Sequence, residues 1–264
     1  MNSFIDTAAD RESLSRLVKQ NAELEKTNKR QKEFVSLVSH DFKSALTSIV
    51  GFSDLMRGTE CSPEEIKEFA TDIYHGAQKM THLITDILEL ERMEVGQMEL
   101  ALTYIHLNAL IEEAVVQERL AIPHGIHLHL DNQLPSLNGD ADQLTRMVTN
   151  LLNKASKYTP DGGAMLVGSE RVNDFFHLSI RDQGIDILAD RRDEVFAQYT
   201  RVASDTTHPP CGTGLELSIA QKIIEMHGGN VWIESYPRGG SIFHVMLPFP
   251  PALPASAGLP DSTI

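Results

Sequence analysis

The chain is expected to be an α+β protein: an antiparallel helical hairpin followed by an α/β sandwich with a mixed sheet and one helical layer. Three observations carry this expectation. Apolar residues recur at intervals of three and four through residues 34–56 and again through 66–90, the spacing of a buried helix face. A Ser-Pro-Glu-Glu start signal separates the two stretches. Beyond Leu100 the pattern changes to short alternating runs with helical stretches between them.

Residues 1–33 are polar and charged, yet Leu14, Leu17, Leu24, Val35 and Val38 keep a heptad beat, with Asn21, Asn28 and Gln31 in the remaining seam positions. This reads as a coiled-coil lead helix whose polar seam residues fix register at some cost in stability. It runs into a helix whose apolar face is Phe34, Leu37, Val38, Phe42, Ala45, Ile49, Phe52 and Met56. Gly58-Thr59-Glu60-Cys61 makes the turn. Ser62 then caps a second helix with Pro63 at its first position and acids in its first turn. Ile66, Phe69, Ile73, Ala77, Met80, Leu83, Ile84, Ile87 and Leu90 line its apolar face, and Val95-Gly96 marks its end. Such a hairpin cannot bury both stripes alone, and pairing two copies into a dimeric four-helix bundle is the simple remedy.

Strands are expected at 100–107, 126–130, 164–169, 175–181, 230–235 and 241–247, with helices at 107–120, 140–158, 188–199 and 213–226. The chain thus divides into a lead helix (1–33), a hairpin domain (34–97), a sandwich domain (98–249) and a Pro-, Ala- and Ser-rich tail (250–264) expected to be disordered.

Composition excludes several classes. A net charge of −14 argues against a nucleic-acid footprint. Two cysteines, Cys61 and Cys211, form neither a disulfide framework nor a zinc motif, and a cytoplasmic setting is expected. No apolar run reaches membrane-span length, and no signal-peptide layout is present. His75 and His82 read as rim residues of the second helix. His127 and His129, which follow His124, read as a strand face rather than a metal pair.

His40 falls just off the apolar stripe of the first helix, with Asp41 beside it, Lys43 three residues on and the Ser44 hydroxyl one turn later. An imidazole on a rigid helix at the edge of a seam is placed to act as a nucleophile, and Asp41 is placed to orient the ring or take its proton. His40-Asp41-Phe42-Lys43-Ser44-Ala45-Leu46 resembles the phosphoacceptor box of sensor histidine kinases, with Ala45 where that family has Pro, so the kink expected there should soften. Four further stretches resemble the family's nucleotide boxes in order and spacing. They are the N-box at 140–163, the G1 box Asp182-Gln-Gly184-Ile-Asp186, the F-box Phe196-Ala-Gln-Tyr199 and the G2 box Gly212-Thr213-Gly214-Leu215-Glu216, followed by His227-Gly228-Gly229. Together with the phosphoacceptor box these cover nearly all of residues 34–247.

The resemblance implies a Bergerat-type ATP-binding fold, ATP and Mg2+ as cofactors, His40 as phosphoacceptor, and a response-regulator receiver domain as partner. The lead helix would carry a signal from an upstream sensor, supplied by a partner or a missing segment. Asp182 would accept a hydrogen bond from the adenine amino group. Asn150, Lys157 and Tyr158 occupy N-box positions; the glycines Gly184, Gly212 and Gly214 let the backbone come close to the nucleotide, with Thr213 between the last two in the G2 box. The G2 helix N-terminus suits phosphate, and Val202–Cys211 would be a lid.

Three departures are charged. Lys154 replaces the family's magnesium-binding Asn, and an ammonium has no lone pair to offer a cation. Asp186 replaces the second G1 glycine; at positive φ this would cost roughly 1–2 kcal/mol. Glu216 replaces the last G2 glycine and puts a carboxylate where phosphate belongs. At about 5 Å and an effective dielectric near 20, each such charge pair is worth on the order of 3 kcal/mol. Lys154 is expected to pair with Glu216 or Asp186 and close the pocket. Two readings stand: a kinase core that autophosphorylates His40 from ATP, with ATP use impaired, or a pseudo-histidine kinase that passes phosphate or binds a regulator without ATP turnover.

Overall fold

A computed structural model describes residues 3–118, 122, 125–160, 162–184, 192, 195–196, 214–236 and 239–250. Two compact units emerge, Met1–Ile87 and Leu88–Ile264.

The first unit is the hairpin. Helix α1 spans Ser3–Gly58 without interruption, so the lead segment and the His40 segment are one helix. Ala45 is buried within it. With no proline ring at this position, no backbone hydrogen bond is lost to a kink. Helix α2 spans Pro63–Glu94. Its start is a capping box: Glu65 Oε2 accepts from the Ser62 amide at 2.8 Å, and Ser62 Oγ accepts from the Glu65 amide at 3.3 Å. The Ser62 amide, and the Ser62 hydroxyl that also donates to Oε2 at 2.8 Å, hold the Glu65 carboxyl below the usual carboxylate range. At the other end the Gln97 amide donates to the Arg92 carbonyl at 2.9 Å, which closes the helix where the sequence signal lay. Phe52 and Phe69 stack at 5.4 Å between the two helices. His75 and His82 are exposed, as expected of rim residues.

The second unit contains β1 (Thr103–Ile105), α3 (Leu107–Glu118), β2 (Gly125–Leu130), β3 (Leu137–Gly139), α4 (Ala141–Tyr158), β4 (Ala164–Val172), β5 (Phe175–Arg181), α5 (Glu216–Met226), β6 (Asn230–Ser235) and β7 (Ser241–Pro248). A five-stranded mixed sheet runs in the order β2-β4-β5-β7-β6, with β2–β4 parallel and the other pairs antiparallel. Helices α3, α4 and α5 bury Ile111, Leu144, Met147, Leu151, Ile219 and Ile223 against Met165, Val167, Phe176, Leu178, Ile180, Phe243 and Val245. The expected strand at 100–107 is shorter. It pairs with β3, a strand not anticipated from the sequence, in a separate two-stranded sheet. The 213–226 helix begins at Glu216, and the 188–199 helix lies outside the described residues apart from Arg192, Val195 and Phe196.

The start of α4 is fixed from three sides. Asp140 Oδ1 caps the Gln143 amide at 3.1 Å, and its Oδ2 accepts from the Ala101 amide at 2.9 Å. The Asp140 amide donates to His227 Nε2 at 3.0 Å, while His227 Nδ1–H donates to the Ile223 carbonyl at 2.7 Å. Those two bonds hold His227 in one neutral tautomer and tie α4 to the end of α5.

The sheet face away from the helices carries His127, His129, His177, Trp232 and His244. His127 and His129 are exposed there, and among the described residues no cluster of His, Cys, Asp and Glu is arranged to hold a metal. His177 and His244 stack at 5.1 Å, and His244 and Trp232 at 5.0 Å. Glu170 meets His177 at 2.9 Å and Glu234 lies 3.8 Å from His244. Burial holds the His244 ring below its ordinary value near 6.5, against the opposing pull of Glu234. A ring that titrates lower when folded contributes stability that is fully present above the unfolded value and is lost as pH falls from there through the lower folded one. Thermal unfolding followed from pH 8 to pH 5 is therefore expected to show an acid-side loss of stability that His244→Gln reduces.

Candidate functional site

In the first unit, α1 presents His40 with its side chain 76% exposed, and Asp41 beside it with its side chain 10% exposed. His40 Nδ1 lies 3.4 Å from Asp41 Oδ1. The carboxylate therefore takes the Nδ1 proton in hydrogen bonding, and the lone pair of Nε2 faces solvent. Lys43 and Ser44 are exposed on the same helical turn, with the backbone carbonyl of Lys43 accepting from the Thr47 hydroxyl at 2.7 Å. A helical imidazole with one nitrogen engaged and the other open is a nucleophile set on a rigid base.

In the second unit the expected nucleotide-box residues converge where α4 ends, β5 ends and α5 begins. Asp182 is 1% exposed. Its Oδ1 accepts from the Gly184 amide at 2.7 Å and the Ser241 amide at 3.1 Å, and its own amide donates to the Ser241 carbonyl at 2.9 Å. A carboxylate buried this deeply needs those donors. Ser241 and Gly240 were not among the candidates, although the Gly239-Gly240-Ser241 turn before the last strand was a visible signal. A β-carbon at Gly240, which sits at φ +96, would lie 2.3 Å from the Asp182 carbonyl oxygen.

Gly184 makes a close approach within the chain itself. A β-carbon there would lie 2.2 Å from the Tyr158 carbonyl oxygen and 2.9 Å from Asp182 Oδ1. Its lack of a side chain lets the turn after β5 lie against the end of α4, whatever approaches from outside. Tyr158 is held there, and its hydroxyl is pushed up from the ordinary phenol value by burial first, then by the Glu216 and Asp182 carboxylates. It is a neutral O–H donor across the physiological range.

Lys154 is 8% exposed, and its Nζ stands 5.0 Å from the centre of the Tyr158 ring. The expected pairing of Lys154 with Glu216 is corrected: Glu216 Oε1 takes its ion pair from Lys157, one turn nearer the end of α4. The reason is geometric. Residues 154 and 157 stand about 60° apart around the helix and nearly one turn apart along it, and the ammonium that reaches the start of α5 is that of Lys157. Glu216 is thus neutralised by its neighbour. Asn150, one turn before Lys154, is half-buried, and its Nδ2 is buried with no hydrogen-bond partner among the described residues. Gly214, at φ +71, leads through buried Leu215 into α5. Gly212, Thr213, Asp186, Tyr199 and the expected lid at 202–211 lie outside the described residues.

Lys154 offers N–H groups where a hard cation needs oxygen. The adjacent carboxamide, Asn153, is hydrogen-bonded to Glu118, whose carboxyl burial pushes up. The rest of the pocket does fit a purine nucleotide, with a buried acid, a close-approach glycine and a helix N-terminus.

The fold and its two sites define a class: a histidine-bearing helical hairpin joined to an ATP-binding α/β sandwich. Residues 30–96 match the His Kinase A (phospho-acceptor) domain, and residues 139–251 match the histidine kinase-, DNA gyrase B- and HSP90-like ATPase domain. The "Non-motile and phage-resistance protein" of Caulobacter vibrioides is 32% identical over 234 residues, 85% of this chain and 28% of that protein. The sensor histidine kinase WalK of Bacillus subtilis is 25% identical over 86% of this chain and 38% of its own length. Among solved structures, histidine kinase ThkA in complex with response regulator protein TrrA superposes with a TM-score of 0.63 at 24% identity, covering 94% of this chain and 66% of that one. ShkA in complex with AMPPNP gives 0.62 at 22% identity, covering 83% and 46%. The chain belongs to the sensor histidine kinase family of two-component systems. It spans 28% and 38% of the lengths of the two curated relatives named, and no helix among its described residues is long and apolar enough to cross a membrane.

Because the Gly184 clash is with backbone, Gly184→Ala is expected to destabilise the second unit by about 1–3 kcal/mol, the usual range for overpacking. Chemical denaturation of the purified chain measures this. An unchanged midpoint would show that the turn is free to move.

Proposed function

We propose that this chain is a two-component phosphotransfer core in which His40 exchanges a phosphoryl group with the aspartate of a response-regulator receiver domain. In this reading it works as a homodimer through the hairpin, and its own turnover of Mg-ATP is weak. The supporting observation is the exposed His40 ring beside the buried Asp41 carboxylate. In the direction tested below, the Nε2 lone pair attacks the phosphorus of the receiver's aspartyl phosphate. An N–P bond forms as the P–O bond to the acyl oxygen breaks, and the electron pair returns to the receiver carboxylate. The Nδ1 proton remains shared with Asp41, which offsets the positive charge the ring acquires.

The weak-turnover reading rests on Lys154. Phosphoryl transfer from a nucleotide depends on metal-assisted charge stabilisation, and the pocket supplies an ammonium where the metal ligand would be. The neutralisation of Glu216 by Lys157 removes one of the charges expected to oppose phosphate, so the impairment falls on metal binding more than on phosphate repulsion. Exposed apolar side chains along the hairpin, among them Leu46, Val50, Leu55, Tyr74 and Ile84, favour a second copy.

Two measurements test the proposal. A receiver domain phosphorylated with labelled acetyl phosphate should transfer label to the wild-type chain and none to His40→Gln. Asp41→Asn should slow transfer by about 10²-fold, the lower end of general acid–base effects. In parallel, labelled Mg-ATP should leave the wild type nearly unlabelled, while Lys154→Asn combined with Asp186→Gly and Glu216→Gly gains label. Rapid autophosphorylation of the wild type would remove the weak-turnover reading.

A further inference from the structure

We propose that His177 and His244, on the sheet face away from the helices, form one proton-binding site. The pair takes up a single proton where two separate imidazoles would take two, and His244 Nε2, opposite Glu234, is the atom that receives it. The site depends neither on the nucleotide pocket nor on His40. Three observations carry it.

The first is a chain of hydrogen bonds whose protons can be counted. Glu170 Oε1 lies 2.9 Å from His177 Nδ1, and His177 Nε2 lies 2.9 Å from His244 Nδ1. A carboxylate only accepts, so His177 Nδ1 carries hydrogen. The neutral His177 ring then offers a lone pair at Nε2, and His244 Nδ1–H donates to it. Two ring protons satisfy both bonds. His244 Nε2 is left as a bare lone pair, buried and with no hydrogen-bond partner among the described residues.

The second is what faces that lone pair. Glu234 Oε2 stands 3.8 Å away and is another acceptor, so the neutral cluster sets lone pair against lone pair. The other oxygen, Glu234 Oε1, accepts from Trp232 Nε1–H at 3.0 Å. One added proton removes the mismatch: Nε2–H points at a carboxylate, and β7 gains a charge-assisted bond to the edge strand β6. The added charge is shared, because a shift of the hydrogen between His244 Nδ1 and His177 Nε2 passes it from ring to ring while Nε2–H is kept. A second proton would set N–H against N–H and two cations in contact, so the pair stops at one.

The third is confinement. The two side chains are 13% and 14% exposed. The His244 ring stacks on His177 at 5.1 Å and on Trp232 at 5.0 Å, so neither imidazole turns away to titrate alone. Glu170 on β4, Glu234 on β6 and the two rings are the titratable groups of the cluster. Beyond them the face carries Arg181, set over the Tyr236 ring, and the exposed His127 and His129 of β2. Burial opposes the charged form, which places the uptake on the acid side of an ordinary imidazole.

Titration of the full chain from pH 8 to pH 5, followed through the histidine Cε1 resonances and the fluorescence of Trp232, the single tryptophan, tests the proposal. Spectra of His177→Gln and His244→Gln assign the two rings. Both resonances should move together at one midpoint below 6.5, with changes that sum to one fully protonated imidazole. The indole should be quenched at that midpoint by the cation stacked on it. Glu234→Gln should lower the midpoint by about one pH unit, the small end of what an opposite charge at this range does, because its carboxamide can donate to the neutral Nε2. Two full and independent titrations overturn the proposal. So do rings that stay neutral to pH 5, Trp232 fluorescence that ignores the ring titration, or a Glu234→Gln midpoint equal to that of the wild type.

Discussion

The nucleotide-box end of the sandwich depends on one close approach, the turn after β5 lying against the carbonyl of Tyr158. At Gly184 there is no room for a single added carbon, and from that contact the rest of the pocket takes its position. Asp182, two residues earlier, is drawn under the turn and locked by the Gly184 and Ser241 amides. Tyr158 is pressed toward the carboxylates that raise its hydroxyl. Lys154, one turn back along α4, is fixed over the Tyr158 ring. A buried acid, a neutral phenol and a buried ammonium are thus held in one place by a steric constraint that contributes no charge of its own.

The two lysines at the end of α4 show how helical spacing decides chemistry. Three residues separate them, yet they serve different partners. Lys157 reaches α5 and cancels Glu216; Lys154 turns toward Tyr158. A charge tally over the sequence sets Lys154 against Glu216 or Asp186; Asp186 lies outside the described residues. The geometry instead ties α4 to α5 at the rim and keeps an ammonium inside. Breaking a rim pair of this kind costs little, whereas moving a buried cation costs much more.

What could be read from the sequence was what local chemistry decides. The Ser62 capping box, the end of α2 near Gly96 and the span of α4 depend on residues within one turn of each other, and each appears where its residues indicate. The exposed His40 beside Asp41 was legible for the same reason. Features set by distant partners were not. Strand β3 is three residues long and exists through pairing with β1, more than thirty residues earlier. The Lys157–Glu216 pair spans 59 residues. The stacked His177, His244 and Trp232 lie on three adjacent strands, and no local pattern brings them together. The close approach of Gly184 to the Tyr158 carbonyl was not legible either, because a motif records where a glycine stands but not which atom of the chain needs the space.

The hairpin makes a complementary point about what one sequence position decides. Without proline at position 45, α1 runs unbroken from Ser3 to Gly58, so His40 sits in the middle of a continuous rod. Such a rod transmits rotation or register shift from its lead segment to the ring, since it contains no kink to absorb the motion. His40 is exposed while Ala45, little more than one turn away, is buried against the hairpin. A small axial turn of α1 would therefore change how far the imidazole stands out. In this chain the exposure of that ring and the packing of the hairpin are one mechanical variable.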